Sequence, residues 1–259
     1  MRETETGRST DAFVRQSIIR SAWVSLLVAA ALALQQPFVR AKTNAATEMV
    51  DTALVLAVDV SGSINAERYA LQMDGIAKTF EDPEIQQMIL SGPNRSMFVA
   101  LMQWSNKAFL SIPWTLITSR GDAQAFADKV RHAPRVDNQF TCMARALQVI
   151  QGKVLPFLPV SAERTIIDVS GDGHDNCNTQ PPVDVVRDQL VLAGATINGL
   201  PILEGDEAAT LEDWYVDHVI GGNRAFVVPA LGFADFERAM KRKFLVEVSG
   251  PVSSGRGGA

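Results

Sequence analysis

Asp59-Val60-Ser61-Gly62-Ser63 places three oxygen donors at every second position. In extended backbone alternate side chains share a face, so Asp59, Ser61 and Ser63 can converge on one point. Gly62 lets the backbone turn closely around it. Two more oxygen donors stand beside predicted elements: Thr141 just before a helix, and Asp172 between Gly171 and Gly173 after a strand. Two carboxylates and three hydroxyls form a hard-oxygen set that suits Mg²⁺, Mn²⁺ or Ca²⁺ and not Zn²⁺. With so few charged ligands the ion stays electrophilic and open to an external carboxylate. The competing reading of Ser61 and Ser63 is an N-terminal cap for the helix that starts near Asn65.

Other chemistries find less support. His132, His174 and His218 are scattered and lack the spaced Cys or His partners of a zinc site. Asp172, Asp175, Asn176 and Asn178 lack EF-hand spacing and read as a solvated loop. Asp168 reads as a strand residue with its partner elsewhere, and Trp104 and Trp114 as core. No G-x-S-x-G elbow, P-loop or G-x-G-x-x-G is present. The net charge of -5 argues against a nucleic-acid footprint. With 47% hydrophobic and 20% charged residues, the chain can bury a sizeable core.

The elements that must position these donors follow from hydrophobic period. Leu54–Val58 is apolar without alternation, as in a strand covered on both faces. A helix is predicted from about Asn65 to Phe80, with Tyr69, Met73, Ala77 and Phe80 on one face, and a short helical piece follows Pro83. Met97–Trp104 and Ala108–Ile112 read as a hairpin. Further helices are expected over Asp122–Ala133, Cys142–Leu155, Pro182–Ala193, Leu211–Val219 and Gly232–Leu245. Further strands are expected over Thr165–Val169, Thr196–Leu203 and Ala225–Val228. This alternation implies an α/β fold with a doubly wound, mostly parallel sheet flanked by helices. Such sheets bind ligands outside the carboxyl ends of their strands, where Asp59 and Asp172 stand.

The chain divides into an export signal (1–41), a linker (42–52), the α/β domain (53–248) and a disordered Gly/Ser-rich tail (249–259). Arg15 and Arg20 precede an apolar run, Ala22–Leu34, of roughly 13 residues against the ~20 needed to span a bilayer. Val39-Arg40-Ala41 then offers small residues to a signal peptidase. A periplasmic or secreted location follows, with an uncleaved membrane anchor as the alternative. Cleavage after Ala41 removes five Arg against three acids and leaves a net charge of roughly -7. In an exported chain the two cysteines, Cys142 and Cys177, suggest one disulfide, with two buried thiols as the alternative.

Asp59-Val60-Ser61-Gly62-Ser63 resembles the D-x-S-x-S motif of von Willebrand factor A-like domains. Thr141, followed by Ala146 and Leu147, fits the family's second metal loop, and Asp172 fits the third. Gln139 and Phe140 replace the glycines usual before the Thr. Trp214-Tyr215, Ile220-Gly221-Gly222 and the closing helix are similar to a bacterial exported subgroup of unknown function. The resemblance runs from about Ala53 to Leu245. It implies a Rossmann-type fold and a metal ion-dependent adhesion site formed by Asp59, Ser61, Ser63, Thr141 and Asp172. It also implies a protein partner whose Asp or Glu completes the coordination. If Thr141 and Asp172 face one ion, Cys142 and Cys177 lie on neighbouring loops, within reach of a disulfide. The expected activity is metal-dependent protein binding without catalysis. The alternatives are a structural domain whose ion staples the loops or whose site is empty, and a metal-dependent hydrolase using His174 or Asp175 as base.

Overall fold

A computed structural model describes residues 49–136 and 139–248. The expected export signal, linker residues 42–48 and the tail from 249 lie outside the described residues. The strands are β1 (Met49–Asp59), β2 (Met97–Trp104), β3 (Ala108–Ile117), β4 (Ser161–Gly171) and β5 (Ala195–Pro201). The helices are α1 (Ala66–Glu81), α2 (Pro83–Ile89), α3 (Arg120–Arg131), α4 (Met143–Val149), α5 (Val183–Leu192), α6 (Ala208–Trp214) and α7 (Phe236–Val248).

The sheet order is β3-β2-β1-β4-β5. Only β3 is antiparallel to its neighbour; the other pairings are parallel. Side chains of β1 divide by parity. Leu54, Leu56 and Val58 pack with α1, α2, α3 and α7 on one face, while Val55 and Ala57 pack with α4, α5 and α6 on the other. Both faces are dry, which is why the strand shows no apolar–polar alternation. From β1 the chain winds outward through β2 in one direction and later through β4 and β5 in the other. The carboxyl ends of β1 and β4 therefore flank the switch point of the sheet.

Several elements differ from expectation. β1 starts at Met49, so residues 49–52 belong to the domain and not to a linker. Asp51 hides this by interrupting the apolar pattern; its carboxylate accepts from the amides of Asn94 and Ser96. β3 runs on to Ile117 through Pro113, which falls where the β2–β3 register shifts. An edge strand tolerates a residue without an amide hydrogen there. Ala225–Val228 is not a strand. The segment pairs with β5 at Gly199 and Val227, the next bridge, Ile202 with Ala230, lies beyond both, and Pro229 between them has no amide to extend the ladder. The predicted long helices from Cys142 and to Val219 each end in a π-helical turn, Ile150–Val154 and Tyr215–Val219, and the last helix opens as a 3-10 turn, Phe233–Asp235.

Asp168 has its partner on α7. Lys243, fully buried, pairs with Asp168 and, at 2.5 Å, with Glu247, whose carboxylate also accepts from Asn198 Nδ2 at 2.8 Å. Burial, and then the neighbouring Glu247, push the Asp168 carboxyl well above the usual range. Removing the lysine strands two buried carboxylates. We expect Lys243→Met to lose about 3–5 kcal/mol of stability at pH 8. Denaturant unfolding should show a smaller loss at pH 5, where a proton can replace the lysine. An equal loss at both pH values would contradict this account.

Candidate metal centre

At the end of β1 the backbone amide of Ser61 donates to Asp59 Oδ1 at 2.7 Å. The other oxygen, Asp59 Oδ2, is buried and has no hydrogen-bond partner among the described residues. Gly171 makes room for it: a Cβ there would stand 2.9 Å from Asp59 Oδ2 and 3.1 Å from the Tyr215 hydroxyl. Burial, and then the charge of Asp172, push the Asp59 carboxyl up to about 7. Burial also raises Asp172, against the hydrogen bond from Ser63 and the nearby Arg68. Two raised carboxyls and an unsatisfied buried oxygen are what a cation among them would relieve.

Hydroxyls complete the set. Ser63 Oγ donates to Asp172 Oδ1 at 2.7 Å and lies 3.3 Å from Ser61 Oγ. Neither serine caps α1, because Asn65 does so, its side chain accepting from the Arg68 amide at 2.9 Å. The capping alternative is thereby removed. Ser61, Ser63, Thr141 and Asp172 line one cleft of about 370 Å³, shared with Arg68, Gln139, Asn176, Glu204 and Glu207. Asp59 lies behind this group, fully buried.

Thr141 is held from two sides. The Gly62 amide donates to Gln139 O at 3.0 Å, and a Cβ at Gly62 would stand 3.0 Å from that same oxygen. Gln139 and Phe140 thus leave the threonine loop against the serine loop, and Phe140 turns out to solvent at 55% exposure. From the other side Asn176 brackets Thr141. Its side chain accepts from the Thr141 amide at 3.0 Å, and its own amide donates to Thr141 O at 2.9 Å. Asp175 Oδ1 accepts from the Ala144 amide at 3.1 Å, in the first turn of α4. The loop expected to be solvated does expose Asn176 and Asn178, and it also clamps Thr141. Cys142 and Cys177 form a disulfide beside it.

The residues named as bases for hydrolysis, His174 and Asp175, are not among those that line the cleft. Asp175 serves α4. The His174 ring packs against Trp214 with centroids 5.0 Å apart, and its backbone amide donates to Glu207. Arg68 and the segment 204–207 line the cleft and escaped the sequence reading; Arg68 and Glu204 form an ion pair. They meet at 2.6 Å across 136 positions of chain. The one local hint was Arg68 lying five positions after Ser63.

A family model described as a protein of unknown function (DUF1194) matches residues 49–252. The chain belongs to that family. No curated protein matches the sequence. Among solved structures, the DUF1194 chain is similar to proximal thread matrix protein 1 from the mussel byssus with a zinc-occupied MIDAS motif. That match has 15% identity and a TM-score of 0.57, over 77% of this chain and 46% of that one. It is also similar to a von Willebrand factor type A structure from Catenulispora acidiphila, at 16% identity and a TM-score of 0.52, over 75% of this chain and 42% of that one. The chain spans less than half the length of these structures. At such identities the likeness establishes the fold, which is von Willebrand factor A-like, as the motifs implied.

Two outcomes are expected. The metal-free folded state holds a proton on Asp59 that the unfolded chain has released, between the ordinary value of 3.8 and about 7. Stability contributed by this group is full below 3.8 and declines as pH rises through about 7. Urea unfolding in EDTA should show that decline in the native protein and a shallower one in Asp59→Asn; identical slopes would contradict it. Cys142→Ser/Cys177→Ser should unfold about 4 kcal/mol more easily by loop-closure entropy. It should also lose metal affinity, since Thr141 adjoins the bridge. Unchanged affinity would mean that the disulfide does not position Thr141.

Proposed function

We propose that this chain is an exported, non-catalytic protein-binding module. It captures an acidic side chain of a partner through a divalent cation held by Asp59, Ser61, Ser63, Thr141 and Asp172. The observation that carries this reading is the convergence of hydroxyls and a carboxylate at the switch point, in front of a buried carboxylate oxygen with no partner. A bound dication supplies a Lewis-acidic centre with room for an outside oxygen ligand. The protein's own residues orient it. Ser61 fixes one oxygen of Asp59, Ser63 fixes one of Asp172, and Asn176 fixes the backbone of Thr141. The cleft opens to solvent past Gln139 and Glu207, where a partner's Asp or Glu can enter.

Mg²⁺, Mn²⁺ and Ca²⁺ remain the ions that suit hard oxygen donors. The zinc in the mussel protein's motif fits the general affinity order, in which Zn²⁺ outcompetes Mn²⁺ at most sites when supplied. Availability would then choose the ion. A loop-stapling role is less well supported, because the loops are already joined by the disulfide, by Ser63–Asp172 and by Gly62–Gln139. The disulfide suits an oxidising compartment, consistent with a periplasmic or secreted protein. No described helix is long and apolar enough to cross a membrane.

Thermal unfolding of the purified protein tests the reading. An ion that binds only the folded state adds ~2.7 kcal/mol at a hundredfold excess over its dissociation constant. For a domain of this size that is a rise in Tm of roughly 5–10 °C. The rise should appear with Mg²⁺ or Mn²⁺ and vanish in Asp59→Ala. No rise with any divalent ion at millimolar concentration would count against the metal and the adhesion role together.

A further inference from the structure

Among the described residues Arg68 is the one positively charged side chain lining the cleft, and it is held there on several sides. Its Nη1 donates to Ser63 O at 2.7 Å and lies 3.9 Å from Asp172 Oδ2. Its Nη2 pairs with Glu204 Oε1 at 2.6 Å. The guanidinium stands 4.8 Å over the Phe233 ring. Glu204 is itself fixed, since its second oxygen accepts from the Phe233 amide at 3.0 Å. Gly232, at φ +109°, leaves space for that oxygen: a Cβ there would come within 2.8 Å of it. A surface arginine free to roam would have no such cradle.

We propose that Arg68 is a built-in counter-cation that competes with the metal for Asp172 and so sets the metal affinity of the site, with Glu204 holding and partly neutralising it. This rests on the metal reading above. The Asp172 side chain is 3% exposed and the Arg68 side chain 28%, so solvent screens the pair incompletely. In the metal-free protein the guanidinium offsets the Asp172 charge. A dication among Ser61, Ser63 and Asp172 meets that same positive charge across Asp172 and is repelled by it. Glu204 reduces the repulsion by sharing the guanidinium. Because Glu204 also holds the Phe233 amide, the contact ties the metal cleft to the turn that opens α7.

A purely structural ion pair makes a different forecast. Breaking Arg68–Glu204 from either end would then disturb the site in the same direction. The electrostatic role gives opposite signs, because Arg68→Gln removes a positive charge and Glu204→Gln removes a negative one. The test is calorimetric titration of Mn²⁺ into the full chain and into Arg68→Gln, Arg68→Lys, Glu204→Gln and Asp172→Ala. Far-ultraviolet circular dichroism in EDTA confirms that each is folded. Arg68→Gln should bind about tenfold tighter, Glu204→Gln weaker, Arg68→Lys close to the native protein and Asp172→Ala not at all. Added salt should shrink the differences. If the native protein binds Mn²⁺ and Arg68→Gln binds equally or more weakly, the inference is overturned while the metal site stands. If only Arg68→Gln binds, the inference is supported, because the arginine then suppresses binding. If neither binds, the inference and the metal reading fall together. Should Arg68→Gln not fold, Arg68→Met takes its place: tighter binding than the native protein supports the inference, and equal or weaker binding overturns it.

Discussion

A carboxylate sealed at the end of the central strand, with one oxygen satisfied and the other not, has to be answered by a proton or a cation. Asp59 is that carboxylate. It is fully buried, the Ser61 amide meets Oδ1, and Gly171 keeps a side chain away from Oδ2. An unpartnered buried charge is among the costlier features a fold can carry. The parallel sheet holds it there because β1 lies between β2 and β4, with helices over both faces. Asp59 is the last paired residue of the strand, opposite Trp104 of β2, so moving it to solvent would open that end of the β1–β2 ladder.

The loops around Asp59 are built for stiffness. Three segments far apart in sequence meet at the switch point. Each is fastened to the next: Gly62 to Gln139 by backbone, Asn176 to Thr141 by two hydrogen bonds, and Cys142 to Cys177 by a covalent bridge. Pre-positioned donors lose little freedom when they bind, which would let a site with only two carboxylates hold an ion that water also solvates well. The same stiffness limits where motion can enter. The fastening that leads away from the cleft runs from Arg68 through Glu204 to Phe233, at the start of the last helix.

Much of this was legible in residue order, and the exceptions have physical causes. Asp59, Ser61 and Ser63 were readable as a group from their spacing, but the extended backbone expected to align them stops at Asp59: a turn closed by the Ile64 amide on Ser61 O carries the serines into the cleft, with Asp59 behind them. Thr141 and Asp172 were placed by standing at element ends, and the resemblance to von Willebrand factor A-like domains tied them to the serine loop. Asp175 and Asn176 read as a solvated loop, and Asn176 is exposed; what stayed hidden is their hold on α4 and Thr141, because an Asx side chain looks the same in sequence whether or not it also accepts from another segment's amide. Arg68 and Glu204 were invisible, because an ion pair spanning the fold leaves no local periodicity. The start of β1 was hidden by a polar residue, Asp51, whose partners lie near the start of β2. Ala225–Val228 has the composition of a strand and bonds to Gly199, but Pro229 interrupts the pairing before it becomes a ladder.

The account stands on a cation occupying the space between the serine hydroxyls and Asp172. Crystals of the protein soaked in Mn²⁺ and measured for anomalous scattering test this most directly. The account predicts one strong peak in the cleft, with the Ser61 and Ser63 hydroxyl oxygens about 2 Å from it. A well-ordered cleft without a peak, or a fully occupied peak bound only elsewhere on the surface, would contradict it.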